Sequence, residues 1–205
     1  MLIEVNPKNP QIRLIKQVVE CINDGGVIIY PTDSVYGVGC DLFNQKAVER
    51  VCRLKEVKPN KLDLSFICYD LSHISEYAKH ISTPVFKLMK SHLPGPYTFI
   101  LESSSKVPKI LGNSKKTVGI RVPNNEIIRD IVRGVGHPIV SSSIKDIDGV
   151  IEYTTDPEII YERYKNLVDI VIDGGMGGNI PTTVINCVND NIELIREGLG
   201  PVDFV

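Results

Sequence analysis

Apolar and polar positions follow two different periods along this chain, and the two periods take turns. Over 11–23, Ile12, Ile15, Val19 and Ile22 recur at helical spacing, and Gly25-Gly26 ends the run. Val27-Ile28-Ile29-Tyr30 then reads as a short buried strand stopped by Pro31. Residues 45–55 return to helical spacing through Ala47, Val48, Val51, Cys52 and Leu54, and 64–68 reads as strand. Asp70 or Ser72 is placed to cap a short helix reaching about 79, and Ser82 to cap the next, with Pro84 in its first turn. The pattern predicts strands at 97–101 and 117–122, a helix at 125–132 and a strand at 138–142. Asp156-Pro157 opens a helix to about 167, and strands at 168–172, 183–188 and 192–196 follow. Helices alternating with strands predict an α/β domain, and the short joins near the C-terminal end predict a mixed sheet.

Composition narrows the class. The 205 residues are 42% apolar and 23% charged, which is globular usage with enough apolar surface for a sizeable core. No long linker, repeat or low-complexity stretch divides the chain, so one domain over 1–205 is expected, with its core at about 10–200. No apolar run approaches the roughly 18 residues of a membrane span, and Met1-Leu2-Ile3-Glu4 does not begin a signal peptide. The five cysteines form no C-x-x-C pair, which argues for a reducing, cytoplasmic setting rather than a disulfide framework or a cysteine zinc site.

The formal charge of −2 conceals an asymmetry. Residues 146–205 hold twelve acidic side chains against three basic ones, leaving +7 on the rest. Lys46, Arg50, Arg53, Lys55, Lys58 and Lys61 form one basic group, and Lys106, Lys109, Lys115, Lys116 and Arg121 a second. Local basic groups in a near-neutral protein point to an anion site, or to solvated surface lysines.

Three segments carry candidate chemistry. Pro31 to Asp41 lies between a buried strand and a helix, where α/β proteins tend to bind ligands. Gly37-Val38-Gly39 begins like a dinucleotide fingerprint, but Leu42 stands where the third glycine belongs, which disfavours a Rossmann cofactor. Alternation would turn the hydroxyls of Thr32, Ser34 and Tyr36 to one side. The lysines and arginines of 53–61 surround a helix end, yet no G-x-x-x-x-G-K-[ST] occurs, so this is not a P-loop. Pro138 to Lys145 is an apolar strand ending in three serines and a cation, donors suited to phosphate or carboxylate. A nucleophilic serine would need His137 to fold back onto it; His73, His80 and His92 have no ligand spacing and read as surface residues.

The order and wording of six segments resemble the YrdC/YciO family, best known for threonylcarbamoyl-AMP synthases. The segments are Tyr30 to Gly39, Pro94-Gly95-Pro96-Tyr97-Thr98, Val118 to Pro123, Pro138 to Lys145, Pro181-Thr182-Thr183-Val184-Ile185 and Ile195-Arg196-Glu197-Gly198. The wording of 52–71 and 94–101 is most like the YciO branch. The resemblance implies a twisted mixed sheet flanked by helices, with a concave, electropositive face. It also implies chemistry in which L-threonine, bicarbonate and ATP with Mg²⁺ yield threonylcarbamoyl-AMP and pyrophosphate, for modification of adenosine 37 of tRNA. By motif position, Thr32, Arg121 and Thr182 would bind threonine, Thr182 standing where serine is usual. Lys55, Thr117, Ser143, Lys145 and Arg196 would bind ATP, and Lys55, Ser143 and Lys145 would take part in catalysis.

Two departures open alternatives. Val57 stands where the family's Lys-x-Arg pair has arginine, and Lys145 where its Ser-x-Asn pair has asparagine. Val57 cannot fork onto a phosphate; Lys145 or Lys58 would have to restore the charge. The alternatives are binding of double-stranded RNA or tRNA without the synthase reaction, and hydrolysis of ATP.

Overall fold

The computed structural model describes residues 1–56, 65–108, 116–144 and 155–203. In chain order its elements are β1 (Leu2–Glu4), α1 (Ile12–Asn23), β2 (Val27–Tyr30), β3 (Gly37–Asp41), α2 (Gln45–Leu54), β4 (Ser65–Ile67), α3 (Ile74–Tyr77), α4 (Thr83–His92), β5 (Tyr97–Glu102), β6 (Thr117–Arg121), α5 (Glu126–Val135), β7 (Ile139–Ser143), α6 (Pro157–Tyr164), β8 (Ile170–Asp173), β9 (Thr183–Asn186) and β10 (Glu193–Arg196). The strands form one twisted sheet in the order β1-β8-β2-β3-β7-β4-β6-β5-β9-β10. It is mixed, as expected: β4–β6 and β5–β9 run parallel, while β3–β7, β4–β7 and β9–β10 run antiparallel.

Local chemistry starts and stops the helices. Asn44 caps α2 by accepting from the Ala47 N–H at 3.0 Å, and Asn125 caps α5 by accepting from the Ile128 N–H at 3.3 Å. Asp156 accepts from the Glu158 N–H at 2.9 Å, and Pro157 fills the first turn of α6. Gly25 follows α1 with φ +85, a conformation a side chain would strain.

Two expected caps do not form. Asp70 accepts from Ser72 N and Ser72 Oγ, making a local turn, and α3 begins only at Ile74. Ser82 stands at the N-cap of α4, but its hydroxyl makes no capping bond. The pattern also missed β1 and β3. β1 is three residues long, and β3 reads Gly-Val-Gly-Cys-Asp, a weak strand former held by ladders to β2 on one side and β7 on the other.

The two faces of the sheet are covered unequally, and this places the site. One face carries Val27, Ile29, Val38, Val140, Phe66, Ile120, Phe99 and Ile185 and is packed by α2, α3, α4 and α6. The other carries Ile28, Tyr30, Ile139, Ile67, Ile170 and Ile172 and is packed by α1 and α5 through Ile15, Val18, Ile22, Ile127, Ile128, Ile131 and Val132. Strand β7 shows where that second cover ends: of its residues on this face, Ile139 and Ser141 are buried and Ser143 is exposed. Phe99 is fully buried at the centre of the first layer. Phe99→Ala is expected to lower unfolding free energy by about 3–5 kcal/mol, measured by urea titration.

Candidate functional site

Beyond the edge of α1 and α5 this face is floored by small residues, half-buried at Ser65 and Gly119 and buried at Gly39 and Ser141. Directly paired residues share a face, and Gly39, Ser141, Ser65 and Gly119 lie opposite one another across four neighbouring strands. A Cβ at Gly119 would meet Thr98 Cγ2 at 3.3 Å and Ser65 Cβ at 3.4 Å, so the floor is closely fitted. Along β6, Thr117, Gly119 and Arg121 point to this same face by the two-residue period of a strand.

Arg121 is the charge at one end of this floor. It is 6% exposed, and its Nη2 donates to Asp33 Oδ1 at 3.2 Å and Ser34 Oγ at 3.1 Å. Its Nε is buried without a hydrogen-bond partner. Burial pulls its pKa below the usual arginine value; Asp33 opposes that shift, and the Arg196 guanidinium is near enough to add to it. Asp33 also accepts from the Asn124 N–H at 2.8 Å, so one carboxylate ties the loop after β2 to the loop after β6. Thr32 Oγ1 lies 3.1 Å from Ser34 Oγ, donates to Val35 O at 2.7 Å and accepts from the Ser34 N–H at 3.0 Å.

The hydroxyls of 32–36 do not all turn the same way. Residues 31–36 form no strand, so strict alternation does not apply to them. Tyr36 OH instead donates to Gly175 O at 2.8 Å and accepts from Gly174 N–H at 3.3 Å. That bond seats 174–178 against the loop, and a Cβ at Gly178 would lie 2.4 Å from Ser34 O.

On β5, beside the strand that carries Arg121, Thr98 Oγ1 lies 2.8 Å from Thr182 Oγ1, and Arg196 donates to Thr182 O through Nε at 3.3 Å and Nη2 at 2.9 Å. On β7, Tyr30 OH donates to Ser141 Oγ at 2.5 Å, and Lys55 Nζ donates to the Ser143 carbonyl. A run of contacts and register pairs thus links Thr32, Ser34, Arg121, Arg196, Thr182, Thr98, Gly119, Ser65, Ser141, Ser143 and Lys55 around one face. Sequence reasoning named Thr32, Lys55, Thr117, Arg121, Ser143, Thr182 and Arg196, held Ser141 only as one of three serines ending a strand, and missed Thr98, Ser65 and Tyr30, because only strand pairing brings these into line. Lys145 and Val57 lie outside the described residues.

Of the two basic groups read from the sequence, Lys58, Lys61, Lys109 and Lys115 lie outside the described residues, and three of the others are paired. Arg50 pairs with Asp169 at 2.8 Å, Lys106 pairs with Glu76 at 2.7 Å, and Arg121 is buried with Asp33. Each is matched to an acidic residue far away in the chain, which sequence distance hides. His137 faces Asp41 at 3.5 Å and Phe43 at a ring distance of 4.9 Å, with no bond to the serines. Of the other histidines, His80 is exposed, whereas His73 and His92 are half-buried against Tyr69 and Tyr97. A hollow of about 240 Å³ elsewhere is lined by Leu71, Ile74, Ser75, Lys79, Ile81, Phe86 and Met89, without the convergent donors of the sheet face. Among the described residues no helix is long and apolar enough to cross a membrane.

The model of the Sua5, YciO and YrdC proteins, described as telomere recombination, matches residues 20–198. The chain belongs to the Sua5/YciO/YrdC family. It is 42% identical to YciO of Escherichia coli K12 over 199 residues, covering 97% of this chain and 95% of that one. The crystal structure of E. coli YciO matches it with a TM-score of 0.91 at 41% identity, over 99% of this chain and 98% of the other. It is also 33% identical over 170 residues to a threonylcarbamoyl-AMP synthase of Idiomarina loihiensis, 82% of this chain and 90% of that protein. P. abyssi Sua5 complexed with L-threonine matches with a TM-score of 0.86 at 26% identity, over 97% of this chain and 57% of Sua5. In this family member Gly119 keeps the floor low while the Tyr30 ring covers Gly39, and the hydroxyl, guanidinium and ammonium groups stand around it.

Buried phenols make the fold sensitive to alkali. Burial pushes the pKa of Tyr30 and of Tyr36 from 10.0 up to about 12. A raised folded pKa gives stability that is full below the unfolded value and is lost as pH rises through the folded one. Each phenol should therefore cost on the order of 2–3 kcal/mol between pH 10 and 12, at about 1.4 kcal/mol per unit. The half-buried thiol Cys21 and the buried Cys187, raised from 9.0 to about 11, begin the decline about one unit earlier. Urea melts at pH 9 and 11.5 should show the loss, and Tyr30→Phe should show less of it.

Proposed function

We propose that the hollow binds L-threonine beside ATP and that the chain is of threonylcarbamoyl-AMP synthase type. The observation that carries this reading is the buried Arg121: Asp33 and Ser34 hold one end of its guanidinium, its Nε has no partner, and Arg196 lies within electrostatic reach. Two cations at one hollow favour an anion, and a planar fork favours a carboxylate. Thr32 and Ser34 on one side, and Thr98 with Thr182 on the other, supply hydroxyls for a small polar side chain. The relative described as a complex with L-threonine, and the relative named threonylcarbamoyl-AMP synthase, support the same ligand.

In this reading the threonine amine combines with bicarbonate, losing water, to give a carbamate. A carbamate oxygen then attacks the α-phosphate of ATP, and the bond to pyrophosphate breaks. Both partners are anions, so fixed cations lower the barrier. Lys55, Thr117, Ser143 and Arg196 line the route assigned to the nucleotide, with Lys145 restoring charge where Val57 removes it. Mg²⁺ enters with ATP; among the described residues no group of three His, Cys, Asp or Glu is arranged to hold a metal.

The test is to incubate the purified chain with ATP, Mg²⁺, L-threonine and labelled bicarbonate. Labelled threonylcarbamoyl-AMP with matching pyrophosphate is the expected result, and label no higher than without protein would overturn the synthase reading. The substitutions Val57 and Lys145 favour a second reading, in which ATP is bound and hydrolysed without threonine. Steady phosphate release indifferent to threonine would decide for it. Binding of double-stranded RNA or tRNA without the synthase reaction is a separate alternative, and the electropositive face and a cytoplasmic location are proposed with it. Binding through several phosphates should weaken with a log–log salt slope of roughly −0.9 per contact.

A further inference from the structure

Four of the five residues 174–178 are glycine, a composition that suits a loop wrapped around phosphate. Its amides are used otherwise. Gly174 N–H donates to Tyr36 OH at 3.3 Å, Gly175 N–H to Asp173 Oδ1 at 2.8 Å and Gly177 N–H to Thr155 O at 2.7 Å. The glycines instead let this segment lie against the loop of 31–36. A Cβ at Gly174 would lie 2.6 Å from Pro31 Cγ, one at Gly177 2.6 Å from the Tyr36 ring, and one at Gly178 2.4 Å from Ser34 O. Gly175 has a different task. Nothing lies within 4 Å of its Cβ position, but its φ of +93 would strain a side chain, and at that turn its carbonyl accepts from Tyr36 OH at 2.8 Å. We propose that 174–178 is a fixed template for the ligand loop, with Tyr36 and Gly178 as positioning residues that set Thr32 for the hydroxyl of threonine. This inference rests on the reading of the hollow as a threonine site.

Residues 31–36 form no strand, and their own bonds fix their shape but not their place. Thr32 closes a local turn, accepting from the Ser34 N–H and donating to Val35 O. With its proton spent on Val35, the half-buried Thr32 oxygen keeps a lone pair for a ligand O–H. Two outside anchors then hold the turn. On one side Asp33 joins Arg121 and the Asn124 N–H. On the other, 174–178 touches Pro31, Ser34 and Tyr36, so its contacts bracket Thr32. The decisive contact is Gly178 on Ser34 O: Ser34 is buried, its N–H holds Thr32 Oγ1, and a backbone oxygen does not yield to a Cβ as a flexible side chain does. The anchors serve different parts of the ligand. Asp33 keeps Arg121 for the carboxylate, and the template keeps Thr32 for the hydroxyl. Disturbing the template therefore costs recognition of the hydroxyl before binding of the carboxylate.

The experiment measures binding of L-threonine, and of L-2-aminobutyrate, which lacks only the hydroxyl, by calorimetry. It compares the unmodified chain with Tyr36→Phe, Gly178→Ala and Gly136→Ala. The unmodified chain is expected to prefer threonine about tenfold or more. Tyr36→Phe keeps the ring and removes both hydrogen bonds to the segment. It should raise the threonine Kd about fivefold and Gly178→Ala about tenfold, with the 2-aminobutyrate Kd moving less than about twofold in each. Gly136 follows α5 with φ +85, and Gly136→Ala should lose stability in urea melts while keeping the preference. A threonine preference unchanged in Tyr36→Phe or in folded Gly178→Ala overturns the proposal, whether both affinities fall together or neither moves. So does a preference lost equally in Gly136→Ala, which would trace the effect to stability. Should Gly178→Ala not fold, Tyr36→Phe decides alone. An unmodified chain that binds neither amino acid, or both alike, overturns the threonine reading itself and this inference with it.

Discussion

Arg121→Gln is expected to weaken threonine binding severely, raising Kd by roughly 30- to 4,000-fold, because losing a buried hydrogen-bonded charge costs about 2–5 kcal/mol. The variant loses stability as well. Arg121 and Asp33 have side chains only 7% and 9% exposed, so removing the cation leaves a buried carboxylate with the Asn124 N–H as its remaining donor. Breaking a buried pair from one side costs about 3–5 kcal/mol. The two effects separate in the double variant Asp33→Asn/Arg121→Gln. It should regain most of the stability in urea melts, since no lone charge is buried, while threonine binding in calorimetry stays lost. Arg121→Lys, which keeps the charge but not the fork, should also bind poorly. Normal threonine affinity in Arg121→Lys would mean that a point charge is enough.

Gly39→Val is expected to damage the fold more than any other single change on the floor. Its Cβ would lie 2.4 Å from the carbonyl oxygen of Val140, part of the β3–β7 ladder, and 3.0 Å from the Tyr30 ring. Backbone cannot yield as a flexible side chain does, so the loss should reach at least about 3 kcal/mol, lowering Tm by about 6–12 °C for a chain of this size. Gly119→Val is the informative contrast. The first atoms its Cβ meets are Thr98 Cγ2 and Ser65 Cβ, at 3.3 and 3.4 Å, and both are side-chain atoms able to shift slightly. It should fold with a smaller loss, yet fill the hollow and block ligand. Calorimetry alongside thermal melts distinguishes the two. A Gly119→Val variant that folds and still binds ATP and threonine would show that the ligand lies elsewhere.

How much was legible in the sequence can be argued from particular residues. Helices α1, α2 and α5 stood out because each buries a stripe of apolar side chains at three- and four-residue spacing. Strand β2 was legible as a continuous apolar run and is buried on both faces. Strand β3 was not, since its glycines exist to admit the Tyr30 ring, a demand made by a neighbour and not by its own propensity. The six ordered motifs marked the family. The partners of individual charges stayed hidden: Arg121 with Asp33 and Arg50 with Asp169 are separated by 88 residues and by well over 100.

By itself, then, the sequence determined the alternation of helix and strand, the mixed sheet, and the family with its candidate Thr32, Arg121 and Thr182. These depend on local periodicity and on motif wording, which are written in consecutive residues. Only the tertiary structure decided that burial on this face ends between Ser141 and Ser143, that four strands lay Gly39, Ser141, Ser65 and Gly119 in one row, and that Tyr30 reaches across β3 to a serine. The physical reason is that strand order and register are set by packing between segments far apart in the chain, and a floor made of one residue from each strand has no signature along any of them.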